Sequence, residues 1–273
     1  MTKHANDRAL RFYHDVLGLE RLHYGLWQSE DELSLANLKE AQKRYEDLLV
    51  ADIPEGVRSI IDVGCGTGVL LARLKEMGFQ AEGVTPDLHQ QRVMQTKGLG
   101  PVHVCRFEEF APKAAYDCVI MSESAQYIPL ARLFGKVREA LRPSGCLLVS
   151  DYFVLNDVRG IMAKSGHNYE DFLAAAEKEG FKLVKNRDIT REVLKTLELA
   201  NTTAGKIQLA VEIGTEKFRH RHPLWTRLIQ FFIRKKYQRL QEERVLIDAR
   251  EFAKSKTYRF LLFELQGTAQ EPS

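Results

Sequence analysis

The chain has 273 residues, 44% hydrophobic and 28% charged, with a net charge of +3 at neutral pH. This is enough chain to bury a sizeable core, and the composition excludes a collagen-like or low-complexity polymer. So small a positive excess carries no argument for nucleic acid, and no apolar run approaches the roughly 20 residues of a membrane-spanning helix. Met1–Arg8 has no apolar run after its charges, so no signal peptide is expected. Cys65, Cys105, Cys118 and Cys146 form no CxxC pair and fall in or beside predicted strands, as reduced thiols of a cytoplasmic protein would.

Leu10, Phe12, Tyr13, Val16 and Leu17 predict an amphipathic helix over 8–18, followed by an aromatic loop, Leu22–Trp27. Ser29 and Glu32 have capping-box spacing, and Leu35, Leu38, Ala41, Tyr45 and Leu48 predict a second helix to about Val50. Strand and helix then alternate. Strands are expected at 58–63, 81–84, 102–105, 116–121, 146–150 and 181–186. Helices follow Gly68 (with Val69, Leu70, Leu74 and Met77 as one face and Gly78 as the stop), run over 87–97, pass through Leu133–Leu141, and extend from Asn168 to Gly180. Continuous apolar strands alternating with helices predict a mostly parallel sheet covered on both faces. Residues 191–250 read as a helical insertion, a strand returns at 258–265, and the tail from Gln266 is polar.

The densest signal is Asp62-Val63-Gly64-Cys65-Gly66-Thr67-Gly68, a glycine turn between a strand and a helix. Strand end, bare backbone and helix N-terminus together form a ligand cradle. A dinucleotide fold would want GxGxxG and an acid about 20 residues on. Here the glycines alternate and the second strand ends in Thr85. The Gly-Lys-Ser/Thr of a phosphate-binding loop is missing, and a purely structural turn has little use for three glycines beside an acid.

The Asp62–Gly68 stretch resembles the first motif of the seven-stranded, Rossmann-like S-adenosylmethionine-dependent methyltransferases. Asp117 on the fourth strand, Arg142–Gly145 before the fifth, and the late strand fall in that family's order. The nearest-looking branch is the cyclopropane-fatty-acid-synthase-like and tocopherol-type small-molecule methyltransferases, with Gly83–Gln90 and Arg106–Phe110 as matching segments. The resemblance implies S-adenosylmethionine as cofactor and S-adenosylhomocysteine as product, with no metal. It implies cofactor contacts from Tyr24, Trp27, Asp62, Gly64, Cys65, Gly66, Gly68, Thr85, Pro86, Gln90, Phe107, Glu108 and Ser122. In that scheme Asp62 offsets positive charge, Thr85 and Gln90 bond the ribose, Phe107 stacks on adenine and Glu108 accepts from its amine.

If the acceptor arrives protonated a general base is needed, and His23, Tyr24, Glu123, Tyr127 and Asp151 qualify by position. Ser122-Glu123-Ser124-Ala125 is not the Asn/Asp-Pro-Pro-aromatic grip of base-methylating enzymes, so no nucleic-acid partner is expected. Gln126 and Tyr127 replace the glutamate and histidine of the cyclopropane synthases, which puts ordinary methylation ahead of cyclopropanation.

The insertion interleaves Leu224, Trp225, Phe231 and Phe232 with Arg227, Arg234, Lys235 and Lys236. It reads as a substrate cap with a solvated outer face, or as a surface meeting lipid or a lipid-tailed acidic substrate. The expected architecture is an α/β fold: a lid over 1–55, a Rossmann-like seven-stranded core over 56–190, a cap over 191–250, and the last strand and tail over 251–273. The expected function is methyl transfer to O, N or C of a small, apolar or lipid-like molecule, without stable membrane insertion. Oligomeric state stays open. The rivals are a nicotinamide-dependent oxidoreductase and a non-enzymatic S-adenosylmethionine-binding protein.

Overall fold

β1 (Ser59–Val63) is buried along its whole length, because Ser-Ile-Ile-Asp-Val offers no polar alternation for a solvated face. It lies between β2 (Gln80–Thr85) and β4 (Tyr116–Ser122), parallel to both. The computed structural model describes residues 17–222 and 242–266. β3 (Val102–Val104) extends one side, and β5 (Leu141–Val154), β7 (Lys256–Leu265) and β6 (Phe181–Asp188) the other. The sheet has seven strands in the order β3-β2-β1-β4-β5-β7-β6, with β7 antiparallel to both neighbours. This is the expected Rossmann-like architecture.

Seven helices cover it: α1 (Leu35–Ala51), α2 (Val69–Glu76), α3 (Leu88–Thr96), α4 (Leu130–Ala140), α5 (Tyr169–Lys178), α6 (Thr190–Arg221) and α7 (Ala249–Ser255), counted among the described residues. Successive strand residues feed opposite faces. Ile61, Val119 and Leu147 pack with Phe134 and Phe172 of α4 and α5, while Ile60, Ile120 and Leu148 pack with Leu49, Leu71, Val193 and Phe252. The first turns of α6 are therefore core.

Three expectations need correction. The Ser29–Glu32 capping box does not form, since Ser29 Oγ donates to Glu30 and helix α1 opens instead on Ser34, whose Oγ accepts from Asn37 N at 3.1 Å. On α2 the buried pair is Leu71 and Leu74; Met77 caps the helix end and is 52% exposed. The third concerns the turn before the fifth strand. Tyr116 pairs with Leu141 and Cys118 with Cys146, so Arg142–Gly145 loops out within β5. Residues 8–16 of the first predicted helix, the 224–236 part of the cap and the tail beyond Gln266 lie outside the described residues. Among the described residues, no helix is long and apolar enough to cross a membrane.

Asp117 ties the amino-terminal edge of the sheet. Its Oδ2 accepts from Arg58 N, Ser59 N and Ser59 Oγ at 3.0, 2.8 and 2.9 Å, and Arg142 donates to Oδ1 at 2.7 Å. Burial would raise its pKa, but these bonds outweigh it and hold the carboxyl below its ordinary range. Asp117→Ala leaves two amides without acceptors and is expected to cost about 2 kcal/mol in urea unfolding at pH 7.

Candidate active site

At β1 the strand order reverses direction along the chain, and the crevice beyond the carboxyl ends of β1 and β4 is where such sheets take ligands. The glycine turn lies there. Gly64, Gly66 and Gly68 have φ of +79°, +53° and +80°, the left-handed region that a side chain disfavours. A Cβ on Gly64 would sit 2.4 Å from Ser124 Cβ and one on Gly68 2.7 Å from Met94 Cγ, whereas one on Gly66 would meet nothing within 4 Å. Gly64 and Gly68 are thus held by close packing, and Gly66 opens onto free space.

Asp62 is the next-to-last residue of β1. It is 2% exposed, and its Oδ2 has no hydrogen-bond partner. Burial, then the nearby Glu46 charge, pushes its pKa up to about 7, with His23 opposing. A buried carboxylate oxygen with nothing to accept from is the feature that asks for a ligand donor.

Residues 18–27 form a strap across the turn. Thr67 Oγ1 donates to Glu20 O at 2.7 Å. Glu46, buried in α1, takes a two-pronged bond from Arg21 at 2.8 and 3.0 Å, and His23 Nε2 lies 3.3 Å away. Burial would raise the Glu46 pKa, but His23 and Arg21 outweigh it and hold it low. Trp27 does not face the turn. Its ring is 4% exposed, packed with Leu38, Ala41 and Leu199, and its Nε1 donates to Thr196 Oγ1 at 2.8 Å.

Beyond β4 a polar and aromatic cluster forms. Glu123 has φ +53°, uncommon for a side-chain-bearing residue, and is anchored by its N–H to Ser150 O at 2.8 Å. Its Oε1 accepts from Tyr24 N and from Tyr258 Oη, each at 2.6 Å. Tyr258 and Tyr45 hydroxyls are 3.1 Å apart, and Tyr45 Oη also lies 3.1 Å from Ser122 Oγ. Burial raises the pKa of Glu123, and burial followed by the Glu123 charge pushes Asp151 up to about 8. Tyr24 packs against Tyr152, Phe252 and Tyr258. Lys256 Nζ lies 4.2 Å over the Tyr152 ring and donates to Ser165 O and Oγ at 2.9 and 2.8 Å; burial lowers its pKa to about 8, against the pull of Asp151.

His23, Tyr24, Glu123 and Asp151 thus come together, while Tyr127 stands 79% exposed on the turn after β4. Thr85 Oγ1 donates to Gln90 Oε1 at 2.7 Å, so this pair is assembled, beside exposed Pro86. Phe107 is buried and stacks with Phe110, and Glu108 follows in the same short turn of helix. The Cys65 side chain points into the core against Met94, so only its backbone borders the turn. Glu46, Tyr45, Tyr258, Tyr152 and Lys256 escaped sequence reasoning. Tyr45 sits on the apolar stripe of α1 and Tyr258 opens an apolar strand, so each reads as plain core until the fold pairs them.

The profile of a family described as a methyltransferase domain matches residues 36–204. The chain belongs to this family. The mitochondrial ubiquinone biosynthesis O-methyltransferase of Mus musculus is 26% identical over 142 residues, 44% of this chain and 38% of that protein. An uncharacterized methyltransferase of Mycobacterium tuberculosis is 32% identical over 118 residues, 40% of this chain and 58% of that protein. The chain thus aligns with well under two thirds of either relative. Among solved structures, the [4+2]-cyclase SpnF superposes with a TM-score of 0.69 at 19% identity, covering 96% of this chain and 95% of that one. Geranyl diphosphate C-methyltransferase from Streptomyces coelicolor A3(2) gives 0.65 at 17% identity over 96% and 98%. At such identities the likeness establishes the fold.

The residues of this methyltransferase-domain chain fit S-adenosylmethionine: an unpartnered buried acid for an ammonium group, an open glycine for close backbone approach, and a hydroxyl–amide pair for a diol. Among the described residues no cluster of His, Cys, Asp or Glu is placed to hold a metal. Because the folded state binds the Asp62 proton more tightly than the unfolded chain, the stability this group contributes is lost as pH rises from about 4 to 7. Asp62→Asn removes that loss, so its stability relative to wild type is expected to rise across this window by on the order of 4 kcal/mol and then level off, read by urea unfolding at stepped pH.

Proposed function

We propose that the protein transfers a methyl group from S-adenosylmethionine to O, N or C of a small, apolar or lipid-like molecule. The observation that carries this reading is the buried, unpartnered Asp62 Oδ2 beside a left-handed glycine turn at the strand-order reversal. The cofactor, when bound, supplies a methyl group on a positively charged sulfur, a good leaving group. We assign Asp62 to its amino group, the backbone of Gly64, Cys65, Gly66 and Gly68 to close approach, Thr85 and Gln90 to the ribose, and Pro86, Phe107, Glu108 and Ser122 to the adenosine side. We assign Tyr24 to the cofactor as well, from the strap over the turn, and Trp27 to anchoring that strap.

Orientation of the acceptor under such a cover is worth about 7–11 kcal/mol of barrier. The Tyr24, Tyr152, Phe252 and Tyr258 rings support an apolar acceptor. The mouse relative is an O-methyltransferase of ubiquinone biosynthesis and the Streptomyces protein a C-methyltransferase of geranyl diphosphate, and both support the reaction class. The cyclase on the same fold is a reminder that architecture alone does not choose a chemistry. Thr85, where a nicotinamide enzyme would place a ribose-binding acid, weighs against the oxidoreductase reading. In this scheme 1–55 serves as lid, 56–190 as cofactor core, 191–250 as acceptor cap, and 251–273 closes the sheet. Four unpaired cysteines support a cytoplasmic setting.

Isothermal titration tests the reading. Wild type is expected to bind S-adenosylmethionine and S-adenosylhomocysteine, Gly66→Val to bind neither, and Asp62→Asn to bind about 100-fold more weakly, the loss of a charge-assisted bond to a buried group. No binding by wild type, or full binding by Gly66→Val, overturns it.

A further inference from the structure

Four of the five groups placed to handle a proton are already occupied or stand apart. Asp151 has both oxygens engaged: Oδ2 accepts from Gln126 N at 3.1 Å, and Oδ1 from Tyr152 N and Gln126 Nε2 at 2.8 and 3.3 Å. It pins the turn after β4. His23 Nδ1 donates to Tyr24 O at 2.7 Å while Nε2 faces Glu46. The Tyr24 ring is packed among aromatics, and Tyr127 is largely in solvent.

Glu123 differs. Both of its hydrogen bonds, from Tyr24 N and Tyr258 Oη, land on Oε1, and Oε2 accepts none from the described residues. Two donors on one oxygen make it the acceptor oxygen in either protonation state, so a proton arriving at this carboxyl goes to Oε2. Behind Tyr258, the Tyr45 hydroxyl at 3.1 Å fixes the direction of the phenol. The left-handed backbone of Glu123 has no glycine to relieve it, and strain of this kind gathers where a side chain is aimed at a task.

We propose that Glu123 Oε2 takes the proton released by the acceptor, that Tyr258 and Tyr45 are positioning residues holding Oε1, and that the acceptor is a protic nucleophile, O–H or N–H. The inference rests on the methyl-transfer reading. As the bond from O or N to the methyl carbon forms, the methyl–sulfur bond breaks with its pair left on sulfur. The O–H or N–H bond breaks with its pair left on the nucleophile, and the proton moves to Oε2, leaving a neutral glutamic acid that returns it to water.

The groups facing Glu123 are Tyr258 from β7, Tyr24 and His23 from the strap, Tyr45 from α1, Asp151 and Tyr152 from β5, and Tyr127 from the turn after β4. Burial raises its pKa, and His23 and the bonds from Tyr258 and Tyr24 restrain the rise. Loss of the Tyr258 hydroxyl therefore moves it higher still.

Side-chain carboxyl 13C NMR of the full-length protein, with Glu123→Gln assigning the signal, tests this without an acceptor. Wild-type Glu123 is expected to titrate above the ordinary value of about 4.3. Tyr258→Phe should raise the midpoint by about one unit, and Tyr45→Phe by less. An ordinary midpoint, or one that Tyr258→Phe leaves in place, overturns the proposal.

S-adenosylhomocysteine release with phenol, a primary amine or a trisubstituted alkene as probe acceptor gives the second arm. Turnover of phenol or amine should fall as pH drops through the NMR midpoint. Glu123→Gln should lose about 100-fold in kcat while binding S-adenosylmethionine within about threefold of wild type. Turnover confined to the alkene, or an undiminished kcat in Glu123→Gln, overturns it, and if none of the three turns over, the NMR midpoints alone decide. A wild type that fails to bind S-adenosylmethionine removes the methyl-transfer reading, leaving the carboxyl–phenol geometry to stand or fall on the midpoints.

Discussion

The site depends on a carboxylate placed where the fold offers it no partner. Asp62 lies one residue from the end of a strand whose neighbours on both sides are parallel, and neither solvent nor a cross-strand side chain reaches Oδ2. A buried ionised acid without donors is costly, and the protein limits that cost by letting the proton stay on to about pH 7. The group is thus stable enough to fold and unsatisfied enough to reward a cationic ligand. The glycines beside it serve the same end, since Gly64 and Gly68 are wedged against Ser124 and Met94 and only Gly66 is left open.

Glu46 solves the complementary problem of holding the cover. It is as buried as Asp62 and is likewise a carboxyl, yet its pKa moves the other way, because the Arg21 fork and His23 reach it while Asp62 has no such donors. One acid fixes the strap and the other is left with an oxygen that has no partner. Their mutual repulsion couples the two. Neutralising Glu46 would loosen the strap and also make Asp62 easier to ionise.

The sheet was legible because its strands are continuous apolar runs separated by glycine and proline stops, a pattern that needs no long-range information. The glycine turn was legible for a similar reason: Asp62, Gly64, Gly66 and Gly68 are close in sequence and in space. Helix starts were less so. Ser34 prevailed over Ser29 at α1 because the strap, tied by Leu26 N to Ala41 O, sets where the helix can begin. Tyr45 and Tyr258 were invisible as site residues. Their hydroxyls meet across 213 positions of sequence, and nothing local separates a buried tyrosine with a partner from one that merely fills space.

Asp151 and Glu123 show why burial alone is a poor guide to chemistry. Burial raises both pKa values, and the Glu123 charge raises that of Asp151 further. What separates them is the placing of donors. Asp151 spends both oxygens on the backbone and side chain of the turn after β4, and removing its charge would release that turn. Glu123 concentrates its donors on Oε1, one from the strap and one from β7, so the contact that ties the strap to Glu123 and the phenol on β7 together orient the remaining oxygen.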